Sequence, residues 1–152
     1  MEKNNDVIFI CHGNVNRSRA AEEILKNLNP SLNIESFAVG IKSEPGRLMT
    51  KKIRTVFDEN FEPYDSSIRS KILTLNNIKN AGRVFIMDNN NLKHYKLRFG
   101  EELIGKLEML SLFINEPKIP DPGFSEGLTQ FRETFNKIKS CCIELNKSYE
   151  KL

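Results

Sequence analysis

The residues best suited to chemistry lie near the start of the chain, where five residues separate a cysteine from an arginine. The segment reads Cys11, His12, Gly13, Asn14, Val15, Asn16, Arg17 and Ser18. A cysteine thiolate is a strong nucleophile, and an arginine guanidinium binds two phosphoryl oxygens through its planar pair of donors. These two residue types suit a site in which Cys11 attacks a phosphate ester whose phosphoryl group is bound by Arg17.

The sequence around residues 11–18 predicts the backbone shape that this chemistry needs. Residues 7–10 are a short apolar run, typical of a strand buried on both faces, and an apolar stripe over residues 20–28 predicts a helix. A loop between a strand end and a helix start points successive N–H groups inward, and the helix dipole adds positive potential there. Residues 12–18 are therefore predicted to bind phosphate, and the same field favours the thiolate of Cys11.

Residue types inside the loop agree with this interpretation. Gly13 and Asn14 tolerate left-handed backbone angles, and Ser18 is placed to hydrogen-bond the sulfur. The alternative is that Cys11 is a small buried residue and Arg17 a solvent-facing helix start, since Cys-x5-Arg alone is a weak motif. The position between a predicted strand and a predicted helix favours the catalytic interpretation.

Cleavage of a phosphate ester also needs a general acid, because a thiolate does not readily displace an alkoxide or phenoxide without proton donation. The best candidate is Asp121, which lies between Pro120 and Pro122. The prolines stiffen the backbone and bias Asp121 towards an extended conformation. A plain turn before the last helix is the alternative, and spacing alone does not separate the two.

Further along the chain, apolar patterns alternate between strands and helices. Strands are predicted within residues 34–39, 84–87 and 107–113. Pro45-Gly46 is predicted to open a helix with Met49 on its apolar stripe, and a long last helix is predicted over residues 128–149. This order predicts an α/β fold in one domain over residues 1–152, with a parallel sheet covered by helices on both faces.

Composition narrows the possible functions. The 152 residues are 39% hydrophobic and 28% charged, with a net charge of +3, which argues against a nucleic-acid partner. No stretch approaches a membrane span and no signal-peptide pattern begins the chain, so a cytoplasmic location without a membrane partner is predicted. Three cysteines, two of them adjacent at Cys141 and Cys142, do not form a disulfide framework, and metal binding is disfavoured because only His12 and His94 are available.

Residues 7–22, which contain Cys-x-Gly-Asn-x-x-Arg-Ser followed by Ala-Ala-Glu, resemble the low-molecular-weight protein tyrosine phosphatases. Asp121-Pro122 is similar to that family's general-acid loop, and the resemblance runs through essentially the whole chain. It implies a three-layer fold with a four-stranded parallel sheet, and no metal or organic cofactor.

The resemblance also implies a role for each matching residue. Cys11 would be the nucleophile, and Arg17 would bind the phosphoryl group in the transition state. Asn14 would support the strained loop, and Ser18 would assist the thiolate. Asp121 would protonate the leaving group and then activate the water that hydrolyses the cysteinyl phosphate.

Some positions depart from the family pattern. Asn16 stands where many members have a second cysteine, so no protective disulfide is expected from that position. His12 replaces an aliphatic residue and either lines the pocket mouth or only replaces an apolar contact. Arg19 stands where proline is common and is expected to be a surface charge or an extra phosphate contact.

Two further departures affect the loop and the pocket. Ala38 stands where a serine often supports the loop asparagine, which predicts a looser network around Asn14. Gly123-Phe124 replaces a pair often made of tyrosines, so Phe124 is the aromatic wall expected for a substrate pocket.

Alternatives remain open at this point. An arsenate reductase would need two relay cysteines near the middle of the chain, and residues 60–100 contain none. A binding module without turnover would need neither Cys11 nor Asp121. The expected substrate is a phosphorylated protein, at tyrosine or arginine, or a small phosphomonoester, and a monomer is favoured.

Overall fold

Four parallel strands form one sheet in the computed structural model, which describes residues 4–150. They are β1 (Asn5–Cys11), β2 (Ile34–Ala38), β3 (Ala81–Ile86) and β4 (Leu107–Met109), in the order β2-β1-β3-β4. The α-helices within these residues are α1 (Arg17–Leu28), α2 (Lys51–Glu59), α3 (Leu75–Lys79), α4 (Asn89–Phe99) and α5 (Thr129–Lys147). Both ends of the predicted domain, residues 1–3 and 151–152, lie outside the described residues.

Alternate side chains of β1 enter two separate hydrophobic cores, because successive strand residues point to opposite faces. Val7 and Phe9 belong to the core under α1, α2 and α5, whereas Ile8 and Ile10 belong to the core under α3 and α4. Helices therefore cover both faces of the sheet. The predicted three-layer α/β fold with a four-stranded parallel sheet is confirmed.

Among the helices of residues 4–150, none combines the length and the apolar character that a membrane span requires.

The register brings the carboxyl ends of β1 and β3 to the same edge of the sheet. Ile10 pairs with Ile86, and Cys11 pairs with Ala38 on the other side. Asp88 follows two residues after the end of β3. Ligands of parallel sheets bind beyond this edge, so Cys11 and Asp88 leave the sheet where a site is expected.

The helix predicted to open at Pro45-Gly46 begins later in the structure. α2 starts after Thr50, whose Oγ1 accepts a hydrogen bond from the N–H of Ile53 (3.4 Å). The preceding residues form a loop because Ser70 holds them, with the N–H of Gly46 donating to the Ser70 carbonyl (2.8 Å). Met49 precedes the helix yet is buried, which explains why the apolar stripe extends beyond the helix itself.

Helices α3 and α4 are absent from the sequence prediction. α4 begins directly after Asp88, whose Oδ1 accepts a hydrogen bond from the N–H of Asn91 (2.8 Å). Consecutive asparagines argue against a helix interior, but the capping aspartate satisfies the first turn here. α3 is only five residues long and is closed by a capping box between Thr74 and Asn77.

A close approach between β1 and β3 gives a stability prediction. A Cβ added to Gly82 would lie 2.8 Å from the Asp6 carbonyl oxygen. We expect Gly82→Ala to lower the free energy of unfolding by about 1–3 kcal/mol, because the two backbones must move apart. Gly105→Ala is the matched control, since nothing lies within 4 Å of its added Cβ. Urea unfolding measures both variants, and equal effects would contradict the close approach.

Candidate active site

The thiol of Cys11 lies at the bottom of the loop that follows β1. The residue is 3% exposed, and its Sγ accepts a hydrogen bond from the N–H of Asn14 (3.3 Å). Ser18 Oγ is 3.0 Å from the same sulfur. Because Asn14 Nδ2 donates to Ser18 Oγ (2.8 Å), the hydroxyl hydrogen of Ser18 is free to point at the sulfur. Both contacts stabilise a thiolate.

The side chain of Asn14 supports the loop from inside the protein. Its φ is 58°, a left-handed angle, and the side chain is fully buried. Nδ2 donates to Ser18 Oγ and Ser36 Oγ, each at 2.8 Å, and Oδ1 accepts from the N–H of Lys71 (2.9 Å). The looser network predicted from Ala38 is therefore wrong. Ser36 lies two residues earlier on the same strand face and supplies the hydroxyl.

The N-terminus of α1 faces the same loop. Asn16 is the N-cap residue, but its side chain makes no hydrogen bond to the first turn, since its Oδ1 accepts from the Thr50 hydroxyl instead. The N–H groups of that turn are therefore available to an anion. The N–H of Thr50 also donates to the carbonyl of Val15 (3.2 Å). Asn16, where the family often has a cysteine, thus connects the loop to the start of α2.

The guanidinium of Arg17 is held in one orientation by residues from two other segments. Its Nη1 donates to Asp88 Oδ2 (2.6 Å) and to the Ile119 carbonyl (2.9 Å). Its Nη2 lies 3.6 Å from Asp121 Oδ2. Neither Nη2 nor Nε makes a hydrogen bond to any residue in the range 4–150. Arg17 therefore keeps free donors that suit two phosphoryl oxygens.

The geometry of Asp121 combines the two predicted alternatives. Oδ1 accepts a hydrogen bond from the N–H of Gly123 (2.9 Å), which forms a turn, while Oδ2 faces Arg17. The side chain is 48% exposed, and Phe124 beside it is fully exposed. Lys52 Nζ donates to the Ser125 carbonyl (2.7 Å) and ties this loop to α2. A carboxylate in this position can exchange a proton with a bound ester.

These groups share one cavity of about 180 Å³. Its lining comprises Cys11, His12, Gly13, Val15, Asn16, Arg17, Arg47, Thr50, Asp121, Gly123 and Phe124. A cavity of about 150 Å³ holds a benzene molecule, so this one has room for a ring. Asn14 and Ser18 are absent from the lining and support the loop from behind.

Known proteins share this sequence pattern. Residues 6–152 match the family model described as low molecular weight phosphotyrosine protein phosphatase. The chain belongs to this family. The low molecular weight protein-tyrosine-phosphatase Wzb of Escherichia coli K12 is 26% identical over 135 residues, which cover 88% of this chain and 85% of Wzb.

Solved structures share the fold over nearly the whole chain. Wzb from Escherichia coli K30, in complex with sulphate, has a TM-score of 0.85 at 21% identity and covers 96% of this chain and 99% of its own. The YwlE arginine phosphatase from Geobacillus stearothermophilus has a TM-score of 0.81 at 23% identity, with 95% and 92% covered. The same fold thus occurs in phosphatases named for different phosphorylated residues.

His12 lines the cavity and also packs against a second histidine. Its ring meets that of His94 edge to face, with 4.9 Å between centroids. Gly40 makes room for it, since a Cβ there would lie 2.7 Å from His12 Cε1. Burial, followed by the proximity of His12, lowers the pKa of His94.

Within residues 4–150, no group of three or more His, Cys, Asp or Glu side chains is arranged to hold a metal ion.

Arg19 is neither the surface charge nor the phosphate contact that was predicted. It is fully buried, and its Nη1 forms ion pairs with Glu22 Oε1 (2.6 Å) and Glu23 Oε2 (3.2 Å). Two acidic neighbours one helical turn along α1 make this burial possible. Glu22 Oε1 also accepts a hydrogen bond from Ser36 Oγ (2.5 Å), so the charge cluster is connected to Asn14.

Cys141 and Cys142 are buried in α5 and do not line the cavity. Burial and the nearby Glu116 raise the pKa of Cys141 to about 12. Burial likewise raises the pKa of Cys142 well above its usual value. Both therefore remain protonated and unreactive as thiols near neutral pH.

The sequence prediction assigns no role in the site to Ser36, Asp88, Arg47 or Thr50, the last of which lines the cavity and bonds to Asn16. Ser36 could have been found from its place on the same face of a predicted strand as Ala38. Asp88 ends a predicted strand, and strand ends meet at one edge, but its pairing with Arg17 is a long-range contact. Nothing in the sequence marks Arg47, because its loop has no periodic pattern.

The buried charge cluster yields a prediction about stability. Arg19 and Lys26 balance Glu22 and Glu23, with Lys26 Nζ 2.5 Å from Glu22 Oε2. Arg19→Met would leave two buried carboxylates with one cation. We expect it to lower the free energy of unfolding by about 3–5 kcal/mol.

Arg132→Met is the matched control, because it removes an exposed pair with Glu59 (2.7 Å). We expect a much smaller loss of stability than in Arg19→Met, because solvent screens an exposed ion pair. Denaturant unfolding at neutral pH measures both variants. If both variants lost a similar amount of free energy of unfolding, the predicted larger contribution of the buried cluster would be wrong.

Proposed function

We propose that this protein is a cysteine-dependent protein tyrosine phosphatase. The observation that carries the proposal is that Cys11, the free donors of Arg17 and the carboxylate of Asp121 share one cavity at the N-terminus of α1. A phosphoryl group bound there meets a nucleophile, a positive field and a proton donor together.

In the first step, the thiolate of Cys11 attacks phosphorus. The S–P bond forms while the bond from phosphorus to the tyrosine oxygen breaks, and Asp121 gives its proton to that oxygen. Arg17 and the N–H groups at the start of α1 bind the equatorial oxygens, where charge accumulates in the transition state. The product is a cysteinyl phosphate and a free tyrosine hydroxyl.

In the second step, water attacks the phosphorus of the cysteinyl phosphate. Asp121, now a carboxylate, accepts a proton from this water. The S–P bond breaks, inorganic phosphate leaves, and Cys11 returns as a thiolate. The hydroxyl of Ser18, 3.0 Å from Sγ, stabilises the sulfur as its negative charge returns.

The cavity walls favour phosphotyrosine over phosphoarginine. Val15 and the exposed Phe124 offer apolar surface to a phenyl ring. Arg47 lines the same cavity and repels the cationic guanidinium that carries the phosphate in phosphoarginine. We therefore propose phosphotyrosine in proteins as the substrate class.

Two alternatives lack support from the site. An arsenate reductase needs additional thiols that reach the nucleophile, and Cys141 and Cys142 are buried with raised pKa values. A module that only binds phosphate has no use for Asp121 beside Arg17. We also propose that the enzyme acts as a monomer in the cytoplasm, where a reducing environment protects Cys11 from oxidation.

Hydrolysis of p-nitrophenyl phosphate tests the proposal. We expect Cys11→Ser to abolish turnover, because the nucleophile is lost. Asp121→Asn should lower kcat by about 10²- to 10⁴-fold, because it cannot donate the proton. A wild-type protein no faster than Cys11→Ser would overturn the proposal.

Cys141→Ala is the matched thiol control and should keep wild-type turnover, since this cysteine does not line the cavity. Arsenate-dependent thiol oxidation in place of phosphate release would favour the reductase instead.

A pair of peptides with one sequence tests the substrate class. We expect kcat/KM to be about tenfold or more higher for the phosphotyrosine peptide than for the phosphoarginine peptide, because only the ring finds complementary walls. Phosphate release measures both reactions. Equal or faster turnover of the phosphoarginine peptide would contradict this assignment.

A further inference from the structure

We propose that Arg47 is a subsite for an acidic side chain next to the phosphotyrosine, so that the enzyme prefers acidic peptide substrates. The inference rests on the proposed function and deepens it. It assigns a recognition role to a residue outside the phosphate-binding loop.

The cavity contains two guanidinium groups in different electrostatic situations. Arg17 is balanced by Asp88 (2.6 Å) and Asp121 (3.6 Å). Arg47 is exposed and forms no ion pair with any residue between 4 and 150, not even with Glu44 in its own loop. Its positive charge is therefore available to a ligand.

Arg47 also lies above the phosphate-binding loop. Its Nη1 is 3.8 Å from the position that a Cβ on Gly13 would take. The phosphoryl group is expected deeper, because Cys11 is only 3% exposed and Arg17 supplies the free donors around it. Arg47 is thus placed for a group outside the phosphate, on the part of the peptide that remains at the cavity mouth.

The backbone of Arg47 is fixed, which lowers the entropy cost of binding through its side chain. Its N–H donates to Ser70 Oγ (2.9 Å), and its carbonyl accepts from the N–H of Ser70 (2.7 Å). The N–H of the neighbouring Gly46 donates to the Ser70 carbonyl (2.8 Å), and the Gly46 carbonyl accepts from Arg69 Nη1 (2.8 Å). A guanidinium on this support binds a carboxylate through two parallel hydrogen bonds.

Apolar surface beside Arg47 suits the rest of a peptide. Leu48, the next residue in the chain, is 41% exposed, and the exposed Phe124 lines the same cavity as Arg47. The surface therefore combines one unpaired cation with exposed apolar side chains. This combination matches a segment in which an acidic residue follows or precedes the phosphotyrosine.

Two phosphotyrosine peptides that differ only in a flanking Glu or Gln test the subsite. We expect the wild-type kcat/KM to be about threefold higher for the Glu peptide, the range of an exposed ion pair, and the ratio to approach one in Arg47→Gln. Arg47→Glu should reverse the preference towards a peptide with a flanking Lys. The ratio does not depend on the concentration of active enzyme, so partial misfolding does not affect it.

Lys42→Gln is the matched control. It removes the same charge from the same loop, and Lys42 does not line the cavity. A preserved Glu preference in Lys42→Gln supports the subsite. A wild-type ratio of one, or equal losses in Lys42→Gln and Arg47→Gln, would overturn it. In either case p-nitrophenyl phosphate turnover reports separately on the proposed phosphatase activity.

Discussion

The loop after β1 depends on the hydrogen bonds of the Asn14 side chain. Asparagine tolerates the left-handed backbone angle that Asn14 adopts, and the hydrogen bonds of its side chain stabilise the loop in this conformation. The stabilising partners are Ser18 in the loop's own helix, Ser36 on β2 and the N–H of Lys71. They come from separate segments of the chain. The orientation of the Cys11 sulfur is therefore a property of the whole sheet edge.

The buried charges behind the loop make this arrangement more specific. The hydroxyl of Ser36 donates its hydrogen to Glu22. The oxygen of the same hydroxyl therefore accepts the hydrogen bond from Asn14. Arg19 holds Glu22 in turn. A balanced buried cluster contributes little net stability, because desolvation offsets the attraction, but it strongly penalises structures in which one member is displaced. We expect that displacing one member of the cluster would also disturb the hydrogen bond between Ser36 and Asn14.

The positive groups that line the cavity differ in whether a carboxylate balances them. Arg17 is oriented by Asp88, which lets it hold a buried position without losing its free donors. The N-terminus of α1 adds partial positive charge from its N–H groups. Arg47 adds a full charge that no carboxylate within residues 4–150 balances. This distribution of charge favours an anionic ester at the site, and the proposed subsite at Arg47 lies at the rim of the cavity.

The sequence by itself determined the order of the four strands, the helices α1, α2 and α5, and the local unit of strand, loop and helix around Cys11 and Arg17. These features depend on neighbours in the chain, so periodicity and residue type are enough to predict them. Only the tertiary structure decided that Arg19 is buried, that Ser36 supports Asn14 and that Arg47 borders the cavity. Each depends on which distant segments meet, as does the pairing of Arg17 with a residue 71 positions away. The carboxylates of Glu22 and Glu23 are local neighbours of Arg19, but the Asp65 carbonyl that accepts from its Nη2 (3.0 Å) is 46 positions away, and residue type does not encode that contact.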